Sequence, residues 1–335
     1  MASSNYKKIG VLGAGAWGTA LATAMVRADR DTVIWAREEE VVHTINTAHE
    51  NTLFLKDIPL DPALKATSDL ADFHDVDAIL MVSPAQHLRA STEALKNIIK
   101  PNCPLIICSK GIEVATGKLM SEVISEVMPS HPMAVLSGPT FAAEVAKSQF
   151  SAITLACDDE KMGQKLVDAI GTTSFRPYLS NDVIGSQIGG AVKNVLAIAT
   201  GVATGLNMGD NTRAAVITRG LAEMVRLAAT YGADNETLMG LSGLGDLLLT
   251  CSSPQSRNMS LGMALGQGQS FQDYMQGRLS VAEGAHTVKI LYKIAQDRKV
   301  SMPITESVYR VIVKGDPVGE VFDELVNRPF TREDE

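Results

Sequence analysis

The chain has 335 residues, 45% of them hydrophobic and 20% charged. That balance excludes a disordered or collagen-like polymer, and at roughly 150 residues per domain it points to two domains. A formal net charge of -8 removes any global attraction to nucleic acid or to an anionic membrane, so an anionic ligand needs a local group of basic residues. In chain order, strands are expected at residues 8–12, 32–36, 77–82, 105–109, 133–136, 151–156 and 175–179, with helices at 17–28, 84–99, 119–128 and 160–170 between them. Ser83-Pro84 reads as an N-cap followed by a first-turn proline. Such alternation predicts a mostly parallel, doubly wound sheet covered on both faces. After about Asn181 the strand signals stop, and helices are expected at 183–206, 213–231, 274–276, 288–298 and 305–313. The predicted fold class is an α/β Rossmann domain at residues 1–180, then an all-α substrate and catalytic domain at 181–330, with a frayed acidic tail at 331–335.

Lys7-Lys8 ahead of the uncharged run Ile9 to Val26 has the outline of a secretory signal. Gly10, Gly13, Gly15 and Gly18 argue against it and against a membrane span, because glycine weakens an isolated apolar helix. Four cysteines (Cys103, Cys108, Cys157, Cys251) without C-x-x-C spacing fit a reduced compartment. The expectation is a cytoplasmic protein. The six histidines lack ligand spacing, so no metal site is expected.

Gly13-Ala14-Gly15-Ala16-Trp17-Gly18 stands between a predicted strand and a predicted helix, where each glycine has a use in a dinucleotide site. The first permits the turn, the second admits the pyrophosphate to the backbone, and the third lets helix and strand pack closely. The helix N-terminus then offers N–H groups and partial positive charge to phosphates. Where such a site usually carries a carboxylate, at the end of the second strand, this chain has Arg37. A guanidinium there suits the 2′-phosphate of NADPH. Glu38, Glu39 and Glu40 follow at once, so a solvated charged helix start is the other reading.

Between Asp182 and Asp210 one formal charge, Lys193, stands in an apolar helical pattern of Ile184, Ile188, Val192 and Val195. Its neighbours on another face, Ser186, Gly189, Gly190 and Ala197, are small enough for a ligand or another backbone to approach. Burial disfavours an ammonium and lowers its pKa, which suits acid–base work near neutral pH or pairing with an anionic substrate. The alternative is a stem lying along the helix with its head in water. Further candidates sit at element ends: Lys110 after the strand at 105–109, Gly138 and Thr140 after 133–136, Asp246 before an apolar run, and Ser256-Arg257-Asn258, whose groups suit a phosphate. Thr140 and Asp246 also read as helix caps.

Taken with GAGAWGTALA (13–22), SKGIE (109–113), SGPTFAAE (137–144), GGAVKNV (189–195), TRGLAEM (218–224), GLGDLLLTC (243–251), QSRN (255–258), GQG (266–268) and MPIT (302–305), the chain resembles the bacterial NAD(P)-dependent glycerol-3-phosphate dehydrogenase family from about Lys8 to Val313. The resemblance implies reversible reduction of dihydroxyacetone phosphate to sn-glycerol 3-phosphate for glycerophospholipid synthesis, at a site between the two domains of a homodimer. It makes Lys193 the catalytic lysine. It places Lys110, Gly138, Thr140, Lys193, Asp246, Ser256, Arg257 and Asn258 around the substrate. NAD(P)H, with NADPH preferred, falls to Gly13, Gly15, Ala16, Trp17, Gly18, Arg37, Lys110, Ala142, Arg257, Val281 and Glu283. Position 16 is often Ser in that family and position 37 often His; the second departure bears on the choice between NADPH and NADH. Two other readings are a ketopantoate or 3-hydroxy-acid reductase and a protein that senses NADPH without chemistry.

Overall fold

The computed structural model describes residues 6–276, 282–329 and 332. The expected tail at 331–335 lies outside the described residues except for Arg332. The chain opens with β1 (Lys8–Leu12), α1 (Ala16–Arg27), β2 (Asp31–Trp35), α2 (Glu39–Ala48), the short pair β3 (Glu50–Asn51) and β4 (Leu55–Pro59), and β5 (Lys65–Thr67). Next come β6 (Ala78–Met81), α3 (Leu88–Leu95), β7 (Leu105–Ile107), α4 (Met120–Val127), β8 (Met133–Ser137), α5 (Ala142–Ala146), β9 (Ser151–Ala156), α6 (Glu160–Ile170) and β10 (Phe175–Ser180). From there the described chain is helical: α7 (Val183–Gly205), α8 (Gly209–Ala229), α9 (Asn235–Met239), a π-helical turn at Leu241–Gly245, and α10 (Asp246–Ser252). It continues through α11 (Arg257–Gly266), α12 (Phe271–Met275), α13 (Glu283–Asp297), α14 (Pro303–Tyr309), a second π-helical stretch at Arg310–Lys314, and α15 (Val318–Val326).

Eight strands form one sheet in the order β10-β9-β8-β7-β6-β1-β2-β5, parallel throughout except where β8 meets β9. The central strand β6, Ala-Ile-Leu-Met, is wholly buried, as a parallel strand covered on both faces requires. From β1 the chain runs outward to β2 and β5, then returns to β6 on the other side of β1. That reversal leaves a crevice beyond the C-terminal ends of β1 and β6, the usual ligand position in an open α/β sheet.

The uncharged run at 9–26, whose glycines argue against a signal or a span, folds as β1 and α1 within the core. Several other expectations are corrected. Ser83 caps nothing: Pro84 precedes a short 3-10 turn at Ala85–His87, and the Ser83 hydroxyl is buried with no partner among the described residues. The helix expected at 84–99 is therefore only α3, Leu88–Leu95. The helix expected at 305–313 starts at Pro303 and passes into the π-helical stretch, which Gly315 ends at φ 77°. Strands β3, β4 and β5 and helices α9, α11 and α15 had no predicted counterpart, and α2 and α10 entered only through the helix-start readings at Glu38 to Glu40 and at Asp246. Short or glycine-bearing elements present too few periodic positions to read, and pairing or packing makes them regular. Arg257–Gly266 is such a case.

Among the described residues one helix, α7, is long and apolar enough to cross a membrane, and 83% of its apolar window is buried inside the protein. It is the central rod of the helical half. Where it crosses α11 the backbones touch, since a Cβ on Gly201 would lie 2.2 Å from the Met259 carbonyl oxygen and one on Gly262 would lie 2.0 Å from that of Ile198. This glycine contact holds the helix bearing Lys193 tightly against the helix that begins with Arg257. The motifs at 218–224 and 302–305 serve architecture. Buried Glu223 on α8 accepts hydrogen bonds from the Ile304 and Thr305 amides and the Thr305 hydroxyl, closing the N-terminus of α14.

Candidate active site

The loop after β1 fits a dinucleotide. Gly13 adopts φ 117°, the left-handed side that favours glycine, and its amide donates to the Trp35 carbonyl at 3.1 Å. A Cβ on Gly18 would lie 1.8 Å from the Gly13 carbonyl oxygen, so helix and loop can meet only with glycine there. A Cβ on Gly15 would meet nothing within 4 Å, and Gly15 precedes α1 without a side-chain cap. Open space thus faces unclaimed helix N–H groups, the arrangement that receives a pyrophosphate. Ala16 and Trp17 begin α1, and the Trp17 indole N–H is buried with no partner among the described residues. Buried Asn51 steadies the loop from beneath by donating to the Ala14 carbonyl at 2.8 Å. Arg37 follows β2 with its side chain 80% exposed and its guanidinium 2.7 Å from the Glu38 carboxylate.

Across the crevice three charged side chains meet. Lys193, midway along α7, is 7% exposed, so its head does not reach bulk water along the helix. Its ammonium donates to Asp246 Oδ1 at 2.5 Å and to the Thr250 hydroxyl oxygen at 2.9 Å. The Thr250 hydroxyl donates in turn to the Asp246 carbonyl at 2.6 Å. An ammonium has three N–H bonds, which leaves one for a ligand oxygen. Asp246 Oδ2 accepts from Lys110, 2.6 Å away, whose ammonium also donates to the Gly138 carbonyl at 3.1 Å. Burial pushes the Lys193 ammonium down to about 8; Asp246 resists that fall and Lys110 adds to it.

Local sequence explains this placement. The neighbours of Lys193 are small because backbone and side chains fill the space they leave. A Cβ on Gly189 would lie 2.3 Å from the Ser242 carbonyl oxygen, so the π-helical turn carrying the chain into Asp246 rests directly on α7. A Cβ on Gly190 would meet the Ser137 hydroxyl at 3.2 Å and the Lys110 stem at 3.4 Å. Asp246 is not an N-cap: Gly245 precedes α10, and the carboxylate turns to the two ammoniums.

Beside this cluster a polar chain links three helices. Asn258 Nδ2 donates to Asn194 Oδ1 at 2.9 Å, and Asn258 Oδ1 accepts from the Gly284 amide at 2.9 Å. Asn194 Nδ2 approaches Glu283 Oε2 at 3.4 Å. Burial raises the Glu283 pKa, opposed by Arg257, Lys193, Lys110 and His286. Ser256 caps α11, accepting from the Met259 amide at 3.3 Å, and thereby fixes where Arg257 and Asn258 emerge. The Thr140 hydroxyl turns back to the Gly138 carbonyl at 3.4 Å, while Phe141 holds the N-cap position of α5, so the capping expectation for Thr140 is corrected. Ala142 is the first residue of α5. Val281 lies outside the described residues. Thr250 and Asn194 received no role from the sequence. The available signals were Thr250 standing four residues after Asp246, on the same helical face, and Asn194 standing next to Lys193.

Residues 8–163 match the NAD-dependent glycerol-3-phosphate dehydrogenase N-terminus family and residues 182–323 match its C-terminus family. The chain belongs to the NAD-dependent glycerol-3-phosphate dehydrogenases. It is 52% identical over 328 residues to glycerol-3-phosphate dehydrogenase [NAD(P)+] of Parvibaculum lavamentivorans, covering 98% of each chain. The crystal structure of glycerol-3-phosphate dehydrogenase from Coxiella burnetii superposes with a TM-score of 0.92 at 36% identity, over 96% of this chain and 99% of that one. A ketopantoate reductase from Ralstonia eutropha JMP134 reaches a TM-score of 0.62 at 12% identity over 96% of this chain and 100% of that one, a likeness of fold alone.

Proposed function

We propose that the chain catalyses reversible NAD(P)H-dependent reduction of dihydroxyacetone phosphate to sn-glycerol 3-phosphate, supplying glycerophospholipid synthesis. The observation that carries this reading is the buried Lys193 ammonium, held by Asp246 and Thr250 with one N–H left over. The nicotinamide, when bound, supplies or accepts the hydride. During reduction, negative charge grows on the substrate oxygen; Lys193 stabilises that charge and delivers the proton, and in oxidation it takes the proton back. Asp246 and Thr250 orient the ammonium. Lys110, Gly138 and Thr140 stand where substrate and nicotinamide meet, while Ser256, Arg257 and Asn258 receive the phosphate end. Ala142, Val281 and Glu283 complete the cofactor contacts. Residues 1–180 bind the dinucleotide and residues 181–330 bind the substrate. Family resemblance further implies a homodimer and a cytoplasmic location.

Following NADPH absorbance separates this reading from its rivals. Dihydroxyacetone phosphate should be consumed and ketopantoate left untouched. Oxidation of NADPH by ketopantoate alone would replace the substrate, and no turnover with either would leave a cofactor-binding protein.

Arg37 decides the cofactor balance in this proposal, since an exposed guanidinium after β2 faces the place of a 2′-phosphate. Arg37→Asp should raise kcat/KM with NADH relative to NADPH by roughly tenfold or more, the scale of one charge-assisted phosphate contact. Unchanged selectivity would assign the phosphate to another residue.

A further inference from the structure

Lys110 does more in this structure than line a pocket. It follows β7 in the sheet half, yet its ammonium lies 2.6 Å from Asp246 on α10 in the helical half. Its stem runs beside Gly190, one turn before Lys193, and the Gly138 carbonyl after β8 holds its head in place. Asp246 therefore gives one oxygen to each of two ammoniums, one from each half of the molecule. Two like charges on one carboxylate repel each other, and each reduces what the carboxylate gives the other.

We propose that Lys110 is a positioning residue for Asp246 that weakens the carboxylate's hold on Lys193, making Lys193 a better proton donor. The direction in which Lys110 acts on Lys193 agrees with this account, joining burial in lowering its pKa while Asp246 opposes both. The other ionisable groups bearing on the cluster act from α13 and α10. Glu283 on α13 interacts with Lys193 and Lys110, and is itself faced by Arg257 of α11 and by His286. The Cys251 thiol on α10 interacts with Lys193 and Asp246 and is pushed up to about 12 by burial, so it stays neutral across the working range. Glu223 on α8 is engaged at the N-terminus of α14.

The inference rests on the reading of Lys193 as proton donor, but its test need not. In the full-length chain labelled with 13C at the lysine ε carbons, the Lys193 signal is identified by its loss in Lys193→Arg and titrated without ligands. The wild-type midpoint should lie near 8. In Lys110→Met it should rise by about one unit, and in Lys110→Arg, which restores a cation of similar reach, it should return toward the wild type. If Lys110→Met does not fold, Lys110→Gln, which can still donate to the Gly138 carbonyl, carries the same expectation. A Lys193 midpoint that stays put or falls on loss of the Lys110 charge overturns the proposal. The alkaline limb of kcat for reduction should move upward with the titration. If the NMR midpoint moves and that limb does not, the coupling stands and the proton-donor reading falls.

Discussion

Lys193→Ala is expected to lower kcat by about 10²–10⁴-fold, the usual worth of a positioned general acid, while NADPH binding is retained. The structure supports both halves of that expectation. Removing the ammonium leaves the developing oxygen charge without its buried donor, and Thr250 cannot substitute because its hydroxyl is committed to the Asp246 carbonyl. The fold should survive, because Asp246 keeps Lys110 as a partner and is not stranded as an unpaired buried charge. Cofactor affinity should survive too, since the Gly13–Gly18 loop belongs to the sheet half. Steady-state kinetics with a parallel NADPH titration measure both quantities. Turnover near the wild-type value would remove Lys193 from the proton path.

Asp246→Asn changes one atom and should be almost as damaging. The wild-type carboxylate, 0% exposed, is shared by two ammoniums. Its neutral isostere leaves them facing each other across an amide, and losing one member of a buried charged set typically costs about 3–5 kcal/mol. Part of that cost is relieved if Lys193 releases its proton. Asp246 holds the Lys193 pKa up in the wild type, so the change sends it below about 8. The ammonium form should then be depleted from neutral pH upward. In a kcat–pH profile for reduction, the alkaline limb should shift toward lower pH and the plateau should fall by about 10²-fold or more. A limb that stays in place would mean that Asp246 acts on the substrate and not on Lys193. The direction opposes that expected of Lys110→Met, so the two variants test the same cluster with opposite signs.

How much of this was legible beforehand depended on the kind of signal. The long uncharged stretch around Lys193 announced a buried helix, and its ends were read to within a residue, because hydrophobic periodicity over many turns is hard to mistake. The Gly13 loop was legible for a similar reason: its backbone geometry needs particular residues at particular places. Ser83 and Thr140 misled, since a hydroxyl beside a helix start is only an opportunity for capping. In the structure one hydroxyl is without a partner among the described residues and the other turns to a carbonyl. The π-helical turn before Asp246 was not legible at all. Residues 241–245 carry no periodicity that separates it from a loop, and its contact with Gly189 arises from a segment more than fifty residues away.

By itself, then, the order of amino acids determined the alternation of strands and helices, the phosphate-receiving loop, the lone charge in an apolar helix and the family to which these belong. Each is a local pattern, written in residues close together along the chain. Only tertiary structure decided that Lys193 is buried and not solvated, that Asp246 serves two lysines and not a helix end, and that Lys110 crosses from one half of the protein to the other. Charge–charge interactions depend on distance and burial, and residues 136 positions apart acquire both only when the chain has packed.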